Sequence, residues 1–309
     1  MYKYRFSIFT ATYNRASMLE HLAQMINNQT FKGEYEWVIV NDGSTDNTVD
    51  VIKKIQLNSS VPIKFIDKEN GGKHTAWREA TKVFEGRYVV TCDDDDPVTP
   101  NMLEVFDNYW KQLEVQSDYD DFWEVRARAQ YEDGRLVGTE LPKPYFDSDY
   151  NEVNFKLKKG CEMVGCRKVE VLQNEAAVPN KFLFEDKCSN FPEGVRWTIA
   201  ARKYKTRFVP DVVRTYVIGN DSLCVTPRGV KRSSKKNYNS LVQALYTLNE
   251  QGDLMRKYSC RQYFMTILQL AYSAIRVRER VLSAVKRYTD KLLVAMAYIP
   301  AYLIYIIKK

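Results

Sequence analysis

Four consecutive aspartates, Asp93 to Asp96, follow the apolar string "VVTC" and precede "PVTP". Adjacent carboxylates repel one another, so the run is either a solvated loop facing water or half of a site that a cation completes. Hard divalent cations prefer carboxylate oxygen, and a bound cation neutralises charge that develops on a departing phosphate. Other chemistry-bearing residues share the setting. Thr10, Thr12, Tyr13 and Asn14 follow "RFSIF", and Asn41-Asp42 closes "WVIV". In "ENGGKHTAW", Gly71 and Gly72 permit close backbone approach, and Lys73 offers a charge at a helix start. Further along, "FLFEDKCSN" holds Glu185-Asp186 and "FPEGVRW" holds Glu193, each a carboxylate able to serve as a general base.

The elements that must position these residues are legible from periodicity. "RFSIFTAT", "YEWVIVNDGS", "VPIKFIDKE" and "RYVVTCD" read as buried strands, separated by helical spacing at residues 16–29, "DNTVDVIKKI" and "HTAWREATKVFEG". Asp46 or Thr45 is expected to cap the second helix, and Gly86 to close the third. Apolar strands joined by helices imply an α/β fold, a parallel sheet covered on both faces, with ligands gathering at the strand C-termini. All four strands end in polar residues, which places the candidate residues on one edge. "DDFWEVRARAQYEDGRLV" reads as a hairpin turning at Asp133-Gly134, "PEGVRWTIAARKY" as a helix and "KTRFVPDVVRTYV" as extended chain.

The 309 residues carry a net charge of +7, unevenly. Residues 227–309 hold 16 Lys and Arg against 4 Asp and Glu, while residues 1–226 hold 30 against 35. A mildly acidic body with a basic tail suggests an anionic partner for the tail, a membrane surface or nucleic acid. The tail contains an apolar run of 16 residues, 292–307, interrupted by Pro300 and bracketed by lysines. A spanning helix wants roughly 20 residues, so helices lying in an anionic lipid interface are expected, with no nucleic acid. A helical appendage packed on the body is the alternative. The six cysteines show no paired C-x-x-C spacing and the chain has two histidines, so reduced thiols and no zinc site are expected. The N-terminus enters a strand-like run without a signal region, which argues against secretion.

Taken together, "FSIFTATYNR", "WVIVNDGSTDNT", "ENGGKHTAW" and "DDDDPVTPNMLE", in that order and spacing, resemble the family 2 glycosyltransferases of GT-A fold. The resemblance runs from about Phe6 to Leu223. It implies a Rossmann-like nucleotide-diphospho-sugar transferase domain at residues 1–226, followed by a basic amphipathic helical region at 227–309. The implied reaction is transfer of a sugar from a nucleotide diphosphate to an acceptor hydroxyl, with inversion, assisted by Mg²⁺ or Mn²⁺. The resemblance puts Asp93 and Asp95 in the family's D-x-D positions, with Asp95 the direct metal ligand, and leaves Asp94 and Asp96 to contact ribose or cap a helix near Pro100. It puts Tyr13 and Asp42 on the base, by stacking and by accepting an imide hydrogen bond, which favours uracil. Thr10, Thr12 and Asn14 line the same pocket, and Gly71, Gly72 and Lys73 pass beneath the diphosphate. His74 contacts phosphate or sugar, or is a buried structural histidine. Where the family commonly has Arg-Asn, this chain has Trp77-Arg78, and Arg78 is a candidate for the missing charge. By its spacing from Trp197 and "FVPD" within the family's frame, Glu193 is the expected base, with Asp186 the alternate. "VRTYVIGNDSL" resembles the family's closing segment, where Asp221 or Ser222 either touches the metal or diphosphate or, as the favoured reading, forms a plain turn.

The expected activity is therefore transfer from a UDP-sugar to a lipid-linked, polyprenyl-diphosphate saccharide, at the cytoplasmic face of the bacterial inner membrane. Its product would be O-antigen, capsule or exopolysaccharide. The rivals are a nucleotidyltransferase acting on sugar phosphates, whose glycine-rich basic signature "TATYNRASM" lacks, and a catalytically silent nucleotide-sugar or lipid-binding module.

Overall fold

The computed structural model describes residues 2–141, 143–156, 163–217 and 234–308. The chain opens with β1 (Tyr4–Thr12), α1 (Ala16–Asn27), β2 (Tyr35–Asp42), α2 (Thr48–Asn58), β3 (Ile63–Lys68), α3 (Lys73–Val83) and β4 (Gly86–Thr91). It continues through α4 (Met102–Glu114), β5 (Phe122–Tyr131), β6 (Phe146–Ser148), α5 (Tyr150–Lys156), β7 (Met163–Lys168), α6 (Val169–Gln173), α7 (Gly194–Ala200) and β8 (Lys205–Tyr216). Three long helices follow: α8 (Ser234–Tyr258), α9 (Cys260–Val277) and α10 (Tyr288–Ile307).

One eight-stranded sheet runs β3-β2-β1-β4-β7-β5-β8-β6. The first four strands are mutually parallel, so their C-terminal ends share an edge, and β7 pairs antiparallel with both β4 and β5. Strand residues alternate between two cores, as the period of two requires. Phe6, Ile8, Trp37, Ile39, Tyr88 and Val90 face α1, α2 and α4, while Phe9, Val38, Val40 and Val89 face α3, α6 and α7. The covered α/β sheet expected from the sequence is what forms.

Local differences have physical causes. Gly86 does not close α3; it opens β4, where a Cβ would press into the backbone of Phe6 and Ser7, so the close pairing of β1 and β4 requires glycine. Asp46 does serve the start of α2, accepting from the Thr48 amide at 3.0 Å. The hairpin turns at Gly134 (φ 80°), but its second arm is only a bridge, Gln130 to Leu136. Asp96 caps no helix; it pairs with Arg214 of β8 at 2.8 Å.

Helix α8 is part of the body as well as of the tail. Its Val242 lies in the second core, and Tyr238 and Tyr246 pack on that core's edge. With α9 and α10 it also forms a third core around Leu245, Leu248, Ile267, Leu270 and Val294. The expected boundary at 226–227 lies outside the described residues.

Candidate active site

The edge where β1 and β2 end is built by Asn14, which takes a left-handed φ of 54°, a conformation asparagine tolerates. Its amide donates to Ser44 Oγ at 2.8 Å, and its side-chain oxygen accepts from the Thr45 amide at 2.8 Å. This clasp leaves Tyr13 standing 46% exposed at the mouth, an aromatic face open to a ring. Thr10 is not at that mouth. It is fully buried, donating to the Cys92 carbonyl at 2.8 Å and accepting from Trp37 Nε1 at 3.0 Å, so it ties β1 to its neighbours and lines no pocket. Thr12 faces the aspartate run and donates to Asp94 Oδ2 at 2.7 Å.

Asp42 is buried at the end of β2 and organises the glycine loop from beneath. Its Oδ1 accepts from Lys68 Nζ at 2.5 Å and the Gly71 amide at 3.0 Å, and its Oδ2 from the Gly72 amide at 2.7 Å. Carboxylate oxygens have about four lone-pair sites, so Oδ2 keeps room for one more donor. The two glycine amides are thus committed to Asp42, and what the loop presents to the crevice is Lys73. Gly72 has φ 92°, and a Cβ there would meet the His74 ring and the Ser189 carbonyl, both at 3.1 Å. His74 is structural: buried, it accepts from the Phe191 amide at 3.2 Å, and burial holds its pKa below the ordinary value.

The four aspartates have four different partners. Asp93 accepts from Lys73 Nζ at 2.6 Å. Burial pushes Asp93 up, but the Lys73 ammonium and then Arg214 outweigh it and hold the carboxyl below its usual range. Asp94 sits on Thr12, and burial, reinforced by the charges of Asp95 and Asp93, raises it to about 6. Asp95 is the open one, 45% exposed, with Arg15 at 3.9 Å. A cavity of about 250 Å³ adjoins Asp94, Asp95 and Asp96 on the side of Ser17, Met18 and His21. Among the described residues no three His, Cys, Asp or Glu side chains converge as a ready metal cage. That donor set still suits Mg²⁺ or Mn²⁺ held by one or two carboxylates and completed by substrate phosphates. Asp95, with Asp93, would hold it.

Across the crevice stands Glu193, 28% exposed, just ahead of α7. Its Oε1 accepts from Trp77 Nε1 at 3.0 Å and lies 3.3 Å from Lys73 Nζ. Burial lowers Lys73, but Glu193 and Asp93 outweigh it, so the ammonium stays charged. A chain of ring contacts sets the carboxylate's position: Phe9 tilted against Trp77 at 4.3 Å, Trp77 edge-on to Trp197 at 5.4 Å, and the Arg167 guanidinium 3.8 Å over Trp197. Arg167 is itself fixed by Glu124 at 2.8 Å.

Asp186 is elsewhere. It is 67% exposed and pairs with Lys181 at 2.7 Å on the surface. Its neighbour Glu185 is buried, and takes Arg78 at 2.5 Å and the Phe182 amide at 2.9 Å. Arg78, expected to compensate for the family's missing charge at the diphosphate, is therefore engaged by Glu185. Asp221 and Ser222 lie outside the described residues. Sequence reasoning missed Lys68, Arg15 and Arg214 as organisers of the site. Arg15 closes "FSIFTATYNR" and Lys68 stands just before "ENGGKHTAW", whereas Arg214 comes from β8, and nothing in its spacing points to Asp96.

Comparison with known proteins bears on the family and the fold. Residues 7–161 match the profile described as Glycosyl transferase family 2. The uncharacterized glycosyltransferase MG060 of Mycoplasma genitalium is 25% identical over 205 residues, 60% of this chain and 68% of its own length. Its homologue in Mycoplasma pneumoniae is 32% identical over 119 residues, and there the chain spans only 38% of the relative. Among solved structures, S. aureus TarS 1-349 superimposes with a TM-score of 0.59 at 18% identity, covering 96% of this chain and 89% of that one. The mannosyltransferase PcManGT from Pyrobaculum calidifontis, in complex with GDP-Man and Mn2+, gives 0.51 at 18% identity, covering 98% and 81%. At those identities the structural likeness establishes the fold.

Proposed function

The chain belongs to glycosyltransferase family 2, and from that premise we propose that it transfers a sugar, with inversion, from a UDP-sugar to a saccharide held on a polyprenyl diphosphate. The place of reaction is the cytoplasmic face of a bacterial inner membrane, and the product a surface polysaccharide such as O-antigen, capsule or exopolysaccharide. TarS has been solved in complex with UDP-GlcNAc, and PcManGT with GDP-Man and Mn2+, which supports a nucleotide-sugar donor and a divalent cation.

The observation that carries the reading is the row Asp93–Lys73–Glu193, with Lys73 Nζ 2.6 Å from one carboxylate and 3.3 Å from the other. It sets a candidate base and a candidate metal ligand on either side of one crevice. Tyr13 stacks on the base of the donor, and the free site on Asp42 Oδ2 accepts an imide N–H. Asp95 and Asp93 would hold a divalent cation, which would supply neutralisation of the leaving diphosphate. Glu193 takes the proton of the acceptor hydroxyl as that oxygen bonds to the anomeric carbon, and the bond to the diphosphate breaks with its electron pair on the phosphate oxygen. Lys73 stays charged throughout, and its ammonium, 3.3 Å from Glu193 Oε1, fixes where that carboxylate stands.

A donor screen tests this. Purified chain incubated with the common UDP- and GDP-sugars should release UDP from one donor, in a Mg²⁺- or Mn²⁺-dependent manner that EDTA abolishes. Turnover of GDP-sugars alone would overturn the donor reading, and turnover in EDTA the metal reading.

A further inference from the structure

Among the described residues, none covers the face of α10 turned away from the bundle. Among the described residues it is the one helix long and apolar enough to cross a membrane, with a mean hydropathy of 1.6 and only 17% of its most apolar window buried. Val294 and Ala301 are buried against the bundle, on one side of the helix. Tyr288, Leu292, Met296, Ile299, Leu303 and Ile306 are exposed, and at 100° per residue they fall in one stripe on the opposite side.

We infer that this stripe seats in the headgroup–acyl boundary of an anionic bilayer, with α10 lying in the membrane plane and the folded body outside. The inference rests on the reading that the acceptor is held in a membrane, and adds the surface by which the chain reaches it. Charge complementarity selects the occupant. Arg287 and Lys308 are exposed at the two ends of α10, and Arg276, Arg278 and Arg280 at and just past the end of α9, whereas the two acids of residues 276–309 are turned inward. Glu279 is held by Lys187 and by the Tyr238 hydroxyl at 2.8 Å, and Asp290 by Tyr263 at 2.6 Å and Arg256 at 3.1 Å. The surface left outward is apolar and cationic, which suits anionic lipid.

Geometry selects lying over spanning. The apolar run of 16 residues is about 24 Å long as a helix, short of a hydrocarbon core of about 30 Å. Both ends are tied to α9, Asp290 to Tyr263 at 2.6 Å and Lys308 5.8 Å over the Tyr272 ring. A spanning α10 would have to leave α9 and expose the buried Asp290.

The test is flotation of the full chain with phosphatidylcholine vesicles, with and without phosphatidylglycerol, with UDP binding measured on the same samples. The chain should float with phosphatidylglycerol vesicles at low salt and be released by high salt or alkaline carbonate. Ile299→Glu with Leu303→Glu should lower the floated fraction roughly tenfold, and Arg287→Gln with Lys291→Gln should weaken it in a salt-dependent way. UDP binding should be unchanged in both, so loss of flotation and failure of the donor site read out separately. Resistance to carbonate extraction would mean spanning and overturn the proposal. So would absence of flotation in the wild-type chain, with a dimer that the Ile299/Leu303 variant dissolves.

Discussion

Lys73 is a cation that the fold supplies between two carboxylates whose functions differ. Removing it leaves Asp93 and Glu193 facing one another with only Arg214 near the first and Trp77 Nε1 on the second, and Lys73→Gln is expected to cost about 1–3 kcal/mol. Mg²⁺ without nucleotide should recover part of the lost Tm in the variant and shift the wild-type chain little. Equal shifts would argue against a metal site at Asp93. Asp94 gives a second handle, with the opposite sign to Asp93. Its folded pKa is raised from 3.8 to about 6 by burial, so its stabilising contribution is full below 3.8 and is lost as pH rises through about 6. Asp93, held low by Lys73, contributes stability above its unfolded pKa, which is lost as pH falls through the lower folded value. Between about pH 4 and 6 Asp94 therefore dominates the difference. Asp94→Asn should flatten the fall in stability across that window and add about 1–2 kcal/mol at pH 7.5 by thermal melt. It keeps an acceptor for Thr12 and should still weaken metal-dependent donor binding.

The elements themselves were read from the sequence with few errors, because β1, β2 and β4 are buried on both faces, the edge strand β3 keeps an apolar run, and the helices between them keep a clean period. The places of Asp93, Asp95 and Tyr13 were also legible, since their motifs name strand ends, and that of Glu193 followed from its spacing ahead of Trp197. What failed needed three dimensions. Thr10 and Thr12 are two residues apart on one strand, yet only Thr12, at the strand's end, meets the aspartate run. Arg78 reads as a phosphate ligand until the buried Glu185, more than a hundred residues later, is seen to claim it. Gly86 looks like a helix stop and is in fact a strand contact. At this scale the sharpest prediction concerns Gly72, whose φ of 92° and close neighbours leave no room for a side chain. Gly72→Ala should cost about 1–2 kcal/mol in denaturant unfolding, and UDP affinity should fall because Asp42 loses a correctly placed amide. Unchanged UDP affinity would detach the loop from donor binding.

At the scale of the molecule, the body and the basic tail share α8. Tyr246 packs edge-on to Phe182 at 5.9 Å and to Phe191 at 6.3 Å, and its hydroxyl accepts from the Leu183 amide at 3.1 Å. The segment it supports is the one that ends in Pro192-Glu193. A groove of about 540 Å³ between α8 and α9 touches that segment through Pro192 and otherwise stands apart from the crevice. Tyr246→Ala is expected to destabilise by about 3 kcal/mol and to slow transfer more than it weakens UDP binding, since it loosens the base and leaves the donor strands alone. Truncation before α8 should give a poorly soluble chain, as it uncovers Phe182 and Phe191. A stable, fully active fragment would show that the tail is dispensable to the core.

The central claim, that Glu193 is the base of a metal-assisted transfer, is tested most directly by Glu193→Gln, with turnover and UDP binding measured on one preparation and Asp186→Asn beside it. Transfer by Glu193→Gln should fall by about 10²–10⁴-fold, with UDP affinity kept, while Asp186→Asn stays near wild type. Full turnover by Glu193→Gln, or its loss in Asp186→Asn alone, would contradict the account.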